Sequence, residues 1–166
     1  SITIHNNHLN FWDVSVEELH ELAVENTERL LPARVQSMSE VMREIFAKDG
    51  MDEDMLEMLC EERAADEQMY VISNDCKVNG AAAIFYEEVL SNLAEKVGSD
   101  LFILPSSIHE CIAVSTNSFT AEGLAEMVVD VNSTQVAPEE RLSDHVYHFG
   151  QSYGFSAHPS HDTFDI

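Results

Sequence analysis

The chain has 166 residues, a length typical of one domain, and carries 31 acidic against 8 basic residues for a net charge of −23. Nucleic acids and anionic lipids are bound through clustered Lys and Arg, so this charge argues against both as partners. A basic partner protein or a cation is compatible with it. No apolar run approaches the roughly 18 residues of a membrane span, so we expect no membrane partner.

The cysteines predict a reducing compartment. There are three of them, widely spaced and without a CxxC pair, which is typical neither of a disulfide framework nor of a zinc site. Because unpaired thiols are characteristic of reducing compartments, we expect a cytoplasmic protein. These residues are Cys60, Cys76 and Cys111.

In the first half of the chain, residues 2–5 alternate apolar and polar side chains, which predicts a short strand. Two helices then begin at capping boxes, in which a serine and a glutamate three residues later cap each other's backbone N–H groups. An acidic third helix is expected at about 52–63. The capping boxes pair Ser15 with Glu18, before a helix ended by Pro32, and Ser37 with Glu40, before a helix ended by Gly50.

The second half alternates strands and helices without regular βα repetition. Residues 69–73 predict a strand, 80–97 one long helix closed by Gly98, and 101–104 with 110–115 a β-hairpin around a proline–serine turn. Thr120 predicts the cap of a last helix, and 142–149 predict a final strand.

This order of elements indicates an α+β fold, with a mainly antiparallel sheet of about five strands and about five helices packed on it. We expect a single domain over residues 1–150 and a loosely ordered tail over 151–166. Since no initiator Met is present, we expect the chain to be cut from a longer protein.

The turn of the hairpin carries the residue types of a hydrolase. Serine hydrolysis needs a hydroxyl, a histidine base within hydrogen-bonding reach and a carboxylate that orients the base. Ser106 or Ser107, His109 or His145, and Asp144 supply these types. No GxSxG elbow surrounds the serines, so the alternative is a hairpin turn with polar residues at its tip.

Histidines in the tail predict weak binding of a transition metal, through His158, His161 and Asp162. The alternative is that they are ordinary surface residues. The glycine loops that cradle nucleotides, GxGxxG and GxxxxGK[ST], are absent from the sequence, so no cofactor is expected.

Four stretches make the chain resemble domain-of-unknown-function family 5688, an uncharacterised bacterial family. The predicted helix, strand, proline-containing turn and strand over residues 84–114 resemble, more distantly, family 1444. The resemblance to family 5688 implies the C-terminal portion of a longer protein and brings no catalytic residues. The stretches are Thr3-Ile4-His5-Asn6-Asn7-His8-Leu9 leading to Trp12; Glu18-Leu19 through Thr27; Phe102-Ile103-Leu104-Pro105-Ser106-Ser107-Ile108-His109-Glu110; and Asn132 through Val136 and Glu139-Glu140 to Leu142-Ser143-Asp144-His145-Val146-Tyr147.

Together these features favour a non-catalytic binding or interaction module with an unidentified protein partner. Two alternatives stay open: a hydrolase that uses a Ser/His pair near the 104–110 hairpin, and a weak transition-metal-binding domain.

Overall fold

The structure is a computed structural model that describes residues 3–50, 52, 69–105, 107–150 and 154–157. The chain divides into two compact units, residues 1–32 and 33–166. The prediction of a single domain over 1–150 remains an expectation. The predicted third helix lies outside the described residues except for Asp52.

The first unit contains two helices, α1 (Asn6–Trp12) and α2 (Val16–Leu30). The predicted capping box starts α2: the Glu18 N–H donates to Ser15 Oγ at 3.1 Å, and the Ser15 N–H donates to the Glu18 carboxylate at 2.8 Å. The strand predicted at 2–5 is wrong for residues 3–5, because His5 is the N-cap of α1 and its N–H donates to His8 Nδ1.

The second unit is built on a six-stranded antiparallel sheet of order β1-β2-β4-β3-β5-β6, which confirms the α+β fold. The predicted hairpin is present as β3 and β4. Two strands were not predicted: β1 pairs with β2, and β6 lies within the expected tail and pairs with β5. The strands are β1 (Ala33–Ser37), β2 (Met69–Asn74), β3 (Leu101–Leu104), β4 (Cys111–Ser115), β5 (Tyr147–Gly150) and β6 (Gly154–Ala157).

Local capping explains where the helices of this unit begin and end. Ser37 and Glu40 form the predicted capping box of α3 (Met38–Lys48), and Thr120 caps α5 (Ala121–Thr134) through a 3.3 Å bond from the Gly123 N–H to its hydroxyl. Gly98 ends α4 (Val89–Val97) in the left-handed region, at φ 73°. Glycine suits this position because it has no Cβ to clash there.

The single helix predicted over 80–97 is wrong. The segment forms a 3₁₀ helix (Gly80–Phe85) and then α4, separated at Glu88, which adopts a left-handed φ of 63°. Phe85, the last residue of the 3₁₀ helix, is 72% exposed. The final strand is also shorter than predicted, because residues 142–145 precede β5 outside the sheet.

The core lies on both faces of the sheet. Alternate residues of β3 point to opposite faces, and all four are buried, which explains why this strand is entirely apolar. One face packs against the 3₁₀ helix and α4, and the other packs against α5. The first cluster includes Leu101, Ile103, Ile84, Leu90 and Leu93, and the second includes Phe102, Leu104, Leu124 and Val128. None of the helices in the described part of the chain combines the length and hydropathy needed to cross a membrane.

Candidate functional site

The hairpin segment, residues 104–110, is held along one side by the stretch that precedes β5. The Ile108 N–H donates to the Glu140 carbonyl at 2.9 Å, and the Ser143 N–H donates to the Pro105 carbonyl at 3.1 Å. Ser107 and Arg141 form an isolated β-bridge between these two bonds. The tip of the hairpin is therefore paired to a second segment.

The other side of the hairpin segment is held by the start of the 3₁₀ helix. The N–H groups of Gly80 and Ala81 donate to the carbonyls of His109 and Ile108 at 3.1 and 3.2 Å. The Ser73 hydroxyl donates to the same His109 carbonyl at 2.8 Å. The hairpin segment thus joins β2, the 3₁₀ helix and residues 140–143 into one structure.

Ser107 is used to shape the turn. It is 5% exposed, and its Oγ accepts from the N–H groups of His109 and Glu110, at 2.9 and 3.4 Å. The hydroxyl also lies 3.4 Å from Glu110 Oε1, to which it donates. None of these partners is a histidine ring. Ser106, the other serine proposed as a nucleophile, lies outside the described residues.

The imidazole of His109 joins two other segments. Its Nδ1 accepts from the Asn79 N–H at 3.1 Å, so that nitrogen carries no proton. The proton of the neutral ring is then on Nε2, 3.3 Å from Glu140 Oε1, to which it donates. Both ring nitrogens are therefore bonded to groups other than Ser107, whereas a general base would be hydrogen-bonded to the Ser107 hydroxyl.

Asp144 and His145 lie along an open groove beside α5. One oxygen of Asp144 accepts from Asn132 Nδ2 at 2.6 Å, and the His145 N–H donates to Ser143 Oγ at 3.1 Å. Within the described residues, no hydrogen bond links Asp144 or His145 to Ser107. The described candidate residues of the hydrolase hypothesis are therefore not joined to Ser107 as a catalytic triad would be. The hypothesis remains a prediction from the sequence.

The proposed metal ligands His158, His161 and Asp162 lie outside the described residues. In the described ranges, no group of three or more His, Cys, Asp or Glu side chains is placed to hold a metal ion. The metal hypothesis remains a prediction about the tail.

An apolar cavity of about 420 Å³ opens beside the hairpin segment. Its walls come from the 3₁₀ helix, the hairpin segment and the stretch before β5. Phe85 and Leu142, which are 72% and 49% exposed, are among its lining residues. The remaining lining residues are Asn79, Ala81, Ala82, Ile84, Pro105, Ile108, Ser143 and Tyr147.

Polar groups are few in this cavity, and none of the described residues that line it is charged. The hydroxyls of Ser143 and Tyr147 lie 3.3 Å apart, so a donor and an acceptor occur together in a lining whose other polar residue is Asn79. Sequence reasoning identified the hairpin segment but missed the cavity, because the other two walls lie about 25 and 35 residues away along the chain. The dipeptide Asn79-Gly80, which is typical of a turn, was the one local sign of the 3₁₀ wall.

The groove beside α5 is larger, about 1000 Å³, and open to solvent. Its α5 side presents residues at the spacing of one helical face, and its other side is residues 141–145. Leu142 and Ser143 line both the groove and the apolar cavity, so a two-residue wall lies between them.

Comparison with known proteins places the chain in a family. No curated protein and no solved structure matches it. The more distant likeness to family 1444 stays a prediction. Over residues 1–151 the chain matches the family of unknown function DUF5688, and it belongs to that family.

Proposed function

We propose that the chain is a non-catalytic binding module whose ligand occupies the apolar cavity beside the hairpin segment. The observation that carries this proposal is the cavity itself. Its volume falls within the range of roughly 300–1,000 Å³ that is usual for small-molecule sites, and its lining has the usual composition, apolar with a few polar groups.

The lining selects the chemical class of the ligand. A charged group would lose its hydration in this cavity without meeting an opposite charge, which is unfavourable. The ligand is therefore uncharged and mostly apolar. The Ser143 and Tyr147 hydroxyls supply hydrogen bonds for one polar end of it.

The hydrogen bonds around the cavity support a preformed site. The hairpin segment is fixed on one side by the bonds to Glu140 and Ser143 and on the other by those from Gly80 and Ala81. Binding then costs little ordering of the protein, which favours affinity.

The composition supports the setting that we propose for this module, the bacterial cytoplasm without a nucleic-acid partner. The net charge of −23 opposes binding to phosphate backbones. Cys76 and Cys111 are both free thiols, as expected in a reducing compartment.

The test uses the neutral dye Nile red, whose fluorescence rises in apolar surroundings. We expect saturable binding of one dye per chain, with amide shifts in NMR spectra at residues 79–85, 105–108 and 142–147. The Ala82→Trp variant fills the cavity and is expected to lose at least about tenfold in affinity. Ser91→Trp adds the same ring to an exposed position of α4 and serves as the control. Equal binding by both variants would exclude the cavity as the site.

A further inference from the structure

The groove beside α5 carries an apolar strip between acidic side chains. The strip consists of Ala125, Val129 and Leu142, of which Val129 is 54% and Leu142 49% exposed. Aliphatic side chains this exposed along one groove are a feature of interaction surfaces. On α5 the strip flanks the buried Leu124 and Val128: Ala125 packs partly against their core cluster, whereas Val129 is left exposed.

The charges around this strip decide what it binds. Glu126 and Asp130 lie one helical turn apart on α5, and Asp144 lies on the opposite wall. Among the described residues of the lining, the one basic side chain is Arg141, whose Nε donates to the Val136 carbonyl at 3.2 Å. His145 completes the titratable groups. The α5 wall is therefore negative, and because the charge of Arg141 offsets that of Asp144 on the other wall, the groove as a whole keeps a net negative charge.

The wall that carries Asp144 is fixed in place. Asn132, 1% exposed on α5, donates through Nδ2 to the Ser143 carbonyl at 2.9 Å and to Asp144 Oδ1 at 2.6 Å. This pair of bonds ties residues 143 and 144 to the helix that forms the other wall. The distance between the walls, and with it the width of the groove, is therefore set by a buried side chain.

We propose that this groove docks a segment of a partner protein in which Lys or Arg alternates with aliphatic residues. The aliphatic side chains of the partner segment contact Ala125, Val129 and Leu142. Its Lys or Arg side chains lie against Glu126, Asp130 and Asp144. A groove of about 1000 Å³ that is open to solvent suits a peptide segment better than a compact small molecule. This site shares the wall of Leu142 and Ser143 with the apolar cavity but does not depend on the function proposed for that cavity.

The probe is a fluorescein-labelled peptide of alternating leucine and lysine, measured by fluorescence anisotropy with the full chain. Any cation is attracted to a chain of charge −23, so the comparison needs variants of equal net charge. Glu126→Gln/Asp130→Asn removes two charges from the groove. Asp75→Asn/Glu95→Gln removes two exposed charges that do not line it.

We expect the groove variant to bind the peptide about tenfold more weakly than the control variant at low salt, as the loss of two exposed ion pairs implies. Val129→Ala is expected to lower the affinity for the peptide roughly threefold. Met127→Ala, on another face of α5, is expected to leave the affinity unchanged. Equal affinities of the two charge variants, or equal binding of a serine–lysine peptide, would overturn the proposal. The Ala82→Trp variant is expected to bind the peptide with unchanged affinity. The proposal for the cavity and the proposal for the groove can therefore be refuted independently.

Discussion

The N–H of Gly80 donates to the carbonyl of His109 at 3.1 Å, and this contact leaves no room for a side chain at Gly80. A Cβ there would lie 2.3 Å from Ser73 Oγ, 2.6 Å from the Asn74 nitrogen and 2.8 Å from the His109 oxygen. Two of these atoms belong to backbone that is itself hydrogen-bonded. The approach of the 3₁₀ helix to the hairpin segment, and hence one wall of the cavity, depends on this glycine.

Gly80→Ala is therefore expected to lower the free energy of unfolding by about 3 kcal/mol, at the upper end of what overpacking costs. The control is Gly98→Ala. At Gly98 a Cβ meets nothing within 4 Å, and only the positive φ of 73° opposes it, which costs about 1 kcal/mol. Urea denaturation of both variants measures the difference. If Gly80→Ala lowers the free energy of unfolding by no more than Gly98→Ala, the hairpin segment moves to accommodate the added Cβ.

Features that depend on a few neighbouring residues could be predicted from the sequence. The capping boxes at Ser15 and Ser37, the cap at Thr120 and the stop at Gly98 were all found, because each is a bond or a backbone conformation within a few residues. The break at Glu88 was missed because a left-handed glutamate has no sequence signal.

The candidate site was harder to predict because long-range pairing creates it. The hairpin segment was singled out for its Ser and His residues, yet its contacts are with residues about 30 positions away, such as Asn79 and Glu140. A single sequence does not indicate which distant backbone groups will meet. The polar residues of a turn therefore suggested catalysis, whereas in the structure Ser107 and His109 hold neighbouring segments together.

Asn132 is expected to be important for stability because it is buried and donates to both Ser143 and Asp144. Asn132→Ala leaves the Ser143 carbonyl without this donor and removes a charge-assisted bond, for an expected loss of about 2 kcal/mol. Asn92→Ala, an exposed position of α4, should change stability by less than about 0.5 kcal/mol. Thermal and urea unfolding measure both. Similar values for the two variants would mean that the 143–144 wall is held by other contacts.

The carboxylate of Glu44 should stabilise the fold in a pH-dependent way. Hydrogen bonds from Lys77, at 2.6 Å, and from Gln36, together with the charges of Lys77 and Arg34, lower the pKa of Glu44 below its ordinary value of 4.5. A group whose pKa is lower in the folded state stabilises it above the unfolded-state pKa, and this contribution is lost as pH falls through the folded-state pKa.

Glu44→Gln is therefore expected to cost about 0.5–1 kcal/mol at pH 7, since the pairs are partly exposed, and progressively less as pH falls below 4.5. Glu95→Gln, an exposed carboxylate on α4, controls for the general effect of removing one negative charge. Urea titrations at several pH values measure the difference between the variants. A cost of Glu44→Gln that stays constant from pH 7 to pH 3 would contradict the role of its ionised carboxylate.

Cys111 and Cys76 should differ sharply in reactivity. Cys111 is fully buried on β4, and burial, with a smaller effect of the Glu110 charge, raises the pKa of its thiol to about 12. Since the thiolate is the reactive form, only about one molecule in 10⁴ is reactive at Cys111 near pH 8 even before access is considered. Cys76 is exposed. Under native conditions iodoacetamide should label Cys76 within minutes and leave Cys111 unmodified, as read by mass spectrometry of the two peptides. In denaturant both cysteines should react, which serves as the control. Comparable labelling of both in the native protein would mean that β4 opens to solvent far more readily than its place at the centre of the sheet implies.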